Sequence, residues 1–153
     1  MPRLTSFTQQ KLAGAGLLRA VEVLRNNDFS QGTDYWYPNT TGLTAFEVSN
    51  GSLVTGDAVN NFRSIQNSFQ TVPGKEYTLD VTLSNIAGTG TLFTIRDSTR
   101  TSGNILLDEN IIANGTYSTT FTALSTLSEV IIQFQDDNAT LNIDSISIKG
   151  PRP

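Results

Sequence analysis

Tyr77-Thr78-Leu79-Asp80-Val81-Thr82-Leu83 alternates apolar and polar residues at every step. A period of two sends one set of side chains to each face of a strand, so this run reads as a strand with one buried face. Pro73-Gly74-Lys75 stands just before it and supplies a turn. The same alternation returns more weakly in Tyr117-Ser118-Thr119-Thr120-Phe121. It returns again in Leu141-Asn142-Ile143 and Ile146-Ser147-Ile148, but the parity changes across Asp144-Ser145. A parity change inside one strand is the signature of a β-bulge. Glu129-Val130-Ile131-Ile132-Gln133-Phe134 is nearly continuous apolar and is predicted as a central strand.

Turn signals separate these runs at short intervals: Asn50-Gly51, Pro73-Gly74, Gly88-Thr89-Gly90, Ser102-Gly103-Asn104, Asn114-Gly115 and Asp136-Asp137-Asn138. Strands are predicted near 43–48, 51–55, 62–70, 76–84, 91–97, 104–108, 116–123, 129–135 and 140–149. Many short strands at such spacing point to an all-β fold, an antiparallel β-sandwich of jelly-roll type over residues 26–149. Residues 1–25 form a lead-in with an N-terminal arm, short-helical or extended, in which Ser6 and Gln9 have capping-box spacing. Val21-Glu22-Val23 would serve as a first strand, and the tail 150–153 carries two prolines that cannot continue a ladder.

The chain has 153 residues, one domain's worth, and a net charge of -4. An acidic chain without a basic cluster is a poor partner for nucleic acid, which needs Lys and Arg against its phosphates. It contains no Cys and no His. That removes disulfides, thiolate nucleophiles, imidazole bases, Ser-His-Asp triads and the usual zinc sites. Carboxylate-only chemistry and calcium binding survive. No apolar run approaches the roughly 20 residues of a membrane-spanning helix, so no membrane partner is expected. Met1–Gln10 lacks the charged head and apolar core of a secretory signal, so the chain is expected to be made in a cytoplasm.

Asn26-Asn27-Asp28-Phe29-Ser30-Gln31-Gly32-Thr33-Asp34-Tyr35-Trp36 resembles the opening of jelly-roll carbohydrate-binding modules. Phe69-Gln70-Thr71-Val72-Pro73-Gly74-Lys75-Glu76-Tyr77-Thr78-Leu79 resembles their strand–turn–strand segment, and Ile143-Asp144-Ser145-Ile146-Ser147-Ile148 their closing strand. The resemblance spans nearly all of the β part and implies the jelly-roll fold. It implies glycan as a partner and calcium as a candidate ion, with Asp28 and Asp144 as the candidate ligands. Asn27 and Ser145 depart from the family pattern, Ser145 replacing the second acidic residue of the closing motif. Pro2-Arg3-Leu4-Thr5-Ser6-Phe7-Thr8-Gln9-Gln10-Lys11-Leu12-Ala13-Gly14 is similar to the start of tailed-phage virion proteins, notably those of cyanophages. That second resemblance implies a virion protein assembled in the host cytoplasm. A capsid decoration (cement) protein, a homo-oligomer bridging major capsid subunits, is the leading expectation, with a glycan-binding module, free or on a tail or fibre, as the alternative.

Candidate sites follow. Tyr35-Trp36-Tyr37-Pro38 is an aromatic cluster in which alternation sends Trp36 into the core and leaves Tyr35 and Tyr37 outward, where they could stack on a sugar. Leu4, Phe7 and Leu12 are the arm's candidate partner contacts. Asp108-Glu109 and Asp136-Asp137 are adjacent acids that a strand would point to opposite faces, so no paired-carboxylate catalysis is expected and the chain reads as a non-enzyme without a required cofactor.

Overall fold

The computed structural model describes residues 19–38, 46–55, 64–88, 91–97, 105–111, 113–134 and 139–153. Among these, the chain forms β1 (Val21–Glu22), β2 (Tyr37–Pro38), β3 (Phe46–Ser49), β4 (Ser52–Thr55), β5 (Ser64–Gln70), β6 (Glu76–Ala87), β7 (Thr91–Asp97), β8 (Ile105–Ile111), β9 (Gly115–Thr122), β10 (Leu127–Phe134) and β11 (Thr140–Gly150). The first sheet runs β3-β4-β11-β6-β9, with β1 also on β11, and the second runs β2-β5-β10-β7-β8. Every pairing is antiparallel. The fold is the expected all-β antiparallel sandwich.

The alternation of β6 sorts as read. Tyr77, Leu79, Val81 and Leu83 are buried in the core, and Thr78, Asp80 and Thr82 face out. The shift of parity in β11 is a real bulge: Ile143 pairs with Leu83 but Ser145 pairs with Thr82, leaving Asp144 as the extra residue. Ile143 and Ile146 therefore both reach the core, while Asp144 and Ser145 stay outside. β10 is central, with β5 on one side and β7 on the other.

Two joints close the sandwich at one end. Thr71-Val72-Pro73-Gly74-Lys75 turns with Gly74 at φ 76°, where a side chain would be strained, and Lys75 N–H returns to Val72 O at 3.2 Å. The Tyr77 hydroxyl accepts from Val72 N–H at 2.9 Å and donates to Pro151 O at 3.0 Å. Its ring stacks on Phe121 at 5.7 Å between centroids, and Phe69 meets Phe121 edge-on at 6.3 Å. The lead-in is stitched to the same end: Val21 and Glu22 pair with Gly150 and Lys149, and Glu22 carboxylate oxygens accept from Leu24 N–H, Ile148 N–H and the Ser147 hydroxyl.

Where strands differ from expectation, tertiary pairing sets their ends. β6 continues to Ala87 because β11 extends alongside it, with Asn85 adopting φ 52° where the register shifts. β8 runs on to Ile111 because β7 offers partners as far as Thr91. β2 is only two residues long and exists because Tyr37 and Pro38 find Gln66 and Ile65 on β5. The predicted Asp136-Asp137-Asn138 turn and residues 1–18 lie outside the described residues.

Candidate functional site

The two sheets have different outer faces. That of the first sheet is a field of short polar groups: Thr78, Asp80 and Thr82 on β6, and Thr116, Ser118 and Thr120 on β9. That of the second sheet has an apolar floor. Among the described residues, Ile131 is the one buried apolar side chain that lies outside the core cluster, at 7% exposure. Its neighbours Val130 and Ile132 are both in that cluster, so β10 turns Ile131 away from the core.

Register builds the face around it. Tyr37, Gln66, Ile131 and Thr94 form a row across β2, β5, β10 and β7. Ser68, Glu129 and Arg96 form the next row. Thr94 and Glu129 are buried at 1% and 6%, whereas Tyr37 at the rim is 58% exposed. The middle of the face is thus buried and its edge carries an exposed aromatic ring. Ser68 donates its hydroxyl to Glu129 Oε1 at 3.2 Å.

The loop that delivers Tyr37 is held by Asn26, whose φ is 49°. Asn26 Nδ2 donates to Gly32 O at 2.9 Å and to Asp34 O at 2.8 Å, and Oδ1 accepts from Gln31 N–H at 3.0 Å. Its carbonyl also accepts from Trp36 Nε1 at 3.1 Å. Trp36 is buried against Phe29, centroids 5.8 Å apart, as the sequence implied. Tyr35 departs from simple alternation. It sits in the turn before β2 with φ 68°, half-buried, with the Arg25 guanidinium 5.4 Å from its ring centroid. One face of that ring is therefore occupied. Tyr35 and Tyr37 still line a common open depression with Thr33, Asp34, Pro38 and Phe46.

The other candidates fall elsewhere. Asp28 and Asp144 line one open depression with Glu22, Asp80 and Lys149, on the side of the first sheet. Ser30 N–H and its hydroxyl, at 3.1 Å and 2.8 Å, hold the Asp28 carboxyl below the usual carboxylate range. Asp144 Oδ1 accepts the hydroxyls of Ser52 at 2.8 Å and Ser84 at 3.0 Å. Among the described residues no group of three or more acids is placed to hold a metal ion. Leu4, Phe7 and Leu12 lie outside the described residues.

The structure places Tyr37 in one row with Gln66, Ile131 and Thr94, none of which the sequence singled out as a site residue. The signal was present in β10, where Ile131 is in phase with Glu129 and Gln133 rather than with Val130 and Ile132. An apolar residue in the polar phase of a strand marks a face that is covered or ligand-bearing.

Solved structures share this architecture. A CBM4 domain superposes with a TM-score of 0.69 at 11% identity, covering 84% of this chain and 99% of that one. The N-terminal cellulose-binding domain of the Cellulomonas fimi β-1,4-glucanase C gives 0.59 at 16% identity, covering 84% and 95%. The enzymatically active domain of tailspike protein 4 from bacteriophage CBA120 gives 0.63 at 18% identity, covering 86% of this chain but only 22% of that one. No protein-family model matches the chain, and no curated protein matches its sequence. At such identities the likeness establishes the fold, a jelly roll of the carbohydrate-binding-module kind.

Proposed function

We propose that this chain is a non-catalytic glycan-binding domain that holds its ligand on the outer face of the second sheet. The observation that carries the reading is the apolar Ile131 set in the outward phase of β10, in one row with Tyr37 exposed at the rim. A sugar ring has an apolar C–H face and a polar hydroxyl edge. Ile131 and the Tyr37 ring suit the first, and Gln66, Ser68, Gln133 and Arg96 suit the second. Glu129 is the one carboxylate among the described side chains of this face, and glycoside hydrolysis ordinarily takes a pair.

The CBM4 and cellulose-binding neighbours support this reading more than they support a capsid decoration protein. That narrower role, with the major capsid protein as partner and a homo-oligomer as the working state, rests on the arm residues Leu4, Phe7 and Leu12. The phage tailspike similarity favours a different virion role, in which the domain meets host surface glycans.

The test is affinity electrophoresis through soluble polysaccharides. Tyr37→Ala should weaken binding roughly tenfold, since it removes the exposed ring. Tyr35→Ala should weaken it less, because Arg25 already covers that ring. Unaltered retardation of Tyr37→Ala would contradict the placement of the site.

A further inference from the structure

We propose that Arg96 is the specificity-determining cation of this face, and that the glycan it selects bears a carboxylate, as a uronic-acid chain does. The proposal rests on the reading of the second sheet's outer face as a glycan site.

Arg96 follows Ile95, which is fully buried in the core, and stands opposite Glu129 in the β7–β10 register. Alternation therefore turns Arg96 to the outer face, beside the Ile131 floor. Its Nε is buried and makes no hydrogen bond. A guanidinium stays charged at all ordinary pH, so this is a donor on a permanent cation, shielded from water and lacking an acceptor. Leaving such a group unsatisfied is costly, and a ligand oxygen that displaces what covers Nε recovers that cost on binding.

Glu129 does not fill the role at Nε, and it is already engaged by the Ser68 hydroxyl and by a further interaction. Among the described side chains of this face, the donor left without a partner is thus on a cation. A carboxylate presents two oxygens to the edge of a guanidinium and forms charge-assisted bonds about twice as strong as those to a neutral hydroxyl. Glu129 adds discrimination by repulsion: it disfavours an acid group anywhere on this floor except against Arg96. The chain's net charge of -4 makes the long-range field unfavourable to polyanions, so a preference for an acidic glycan would have to come from this local contact.

The test uses the full chain and calorimetric titration with polygalacturonate, polymannuronate and glucuronoxylan, each beside its own carboxyl-reduced form. At least one acidic polymer should bind about tenfold or more tightly than its reduced form. Arg96→Gln should bring that ratio close to one, and Arg96→Lys should restore part of it, because an ammonium keeps the charge but not the planar edge. Tyr37→Ala should weaken both forms alike and leave the ratio standing. Arg96→Gln should also leave the unfolding temperature unchanged or raised, since it removes a half-buried guanidinium whose Nε lacks an acceptor; a marked fall would assign Arg96 a structural role and count against the proposal. Equal binding of acidic and reduced forms, or a ratio unchanged in Arg96→Gln, overturns it. Tyr37-dependent binding of neutral polymers alone overturns it while preserving the glycan reading, and no binding to any polymer overturns both.

Discussion

Asn26→Ala is expected to destabilise the fold by about 3 kcal/mol and to lower the unfolding midpoint by roughly 10 °C. Asn26 is 8% exposed and spends both donors and its acceptor on one loop. Alanine would leave Gly32 O, Asp34 O and Gln31 N–H without these partners, at about 1–3 kcal/mol for each group that water cannot reach. Alanine would also have to hold φ 49°, a conformation that asparagine tolerates better than other residues with a Cβ. Asn26→Gly separates the two effects, because glycine adopts that φ freely but makes none of the side-chain bonds; it should recover about 1 kcal/mol relative to alanine. Asn26→Asp should behave almost as badly as alanine, since a carboxylate would face two carbonyl oxygens that now receive N–H groups. Thermal unfolding of the three variants decides the matter. A loss under about 0.5 kcal/mol in Asn26→Ala would mean that the loop is held by Trp36 packing instead.

Gly150→Ala is expected to cost about 3 kcal/mol or more. A Cβ at Gly150 would sit 2.1 Å from Cδ1 of Tyr77 and 2.5 Å from its Cε1. Tyr77 cannot swing aside cheaply. It is fully buried, stacked on Phe121, and tied by its hydroxyl to Val72 and Pro151. Gly150 cannot retreat either, because it pairs with Val21. The clash should therefore open the β1–β11 junction or displace the ring. Combining Gly150→Ala with Tyr77→Leu should cost less than the sum of the two changes, since the smaller side chain removes the obstacle. Strict additivity in denaturant unfolding would show that the close approach is not what makes glycine necessary there.

These two residues also mark what the sequence could and could not disclose. The alternation of β6, the Pro73-Gly74 turn and the bulge at Asp144 are local patterns, so they were legible without any knowledge of partners. The role of Gly150 was not, because it depends on a tyrosine on another strand that only the folded sheet brings close. The extent of β2 was illegible for the same reason: its two residues are a strand only where β5 pairs with them. For the proposed site, Tyr37 could be picked out as an aromatic near a turn. Ile131 could be read as part of a central strand but not as a floor, because its facing follows from the partners β5 and β7, distant in sequence. Tyr35 was placed on the outward face by an alternation that does not yet operate there, since the backbone is still in a left-handed turn at that point.

The proposed glycan site is the outer face of the second sheet. Backbone amide shifts, followed as a binding saccharide is titrated into the full chain, test it most directly. The largest shifts should cluster at Tyr37, Gln66, Arg96 and Ile131, with β9 and the outer face of β6 unmoved. Shifts centred on Thr82, Thr116 and Ser118 of the first sheet instead, or no saturable shifts with any saccharide tried, would contradict it.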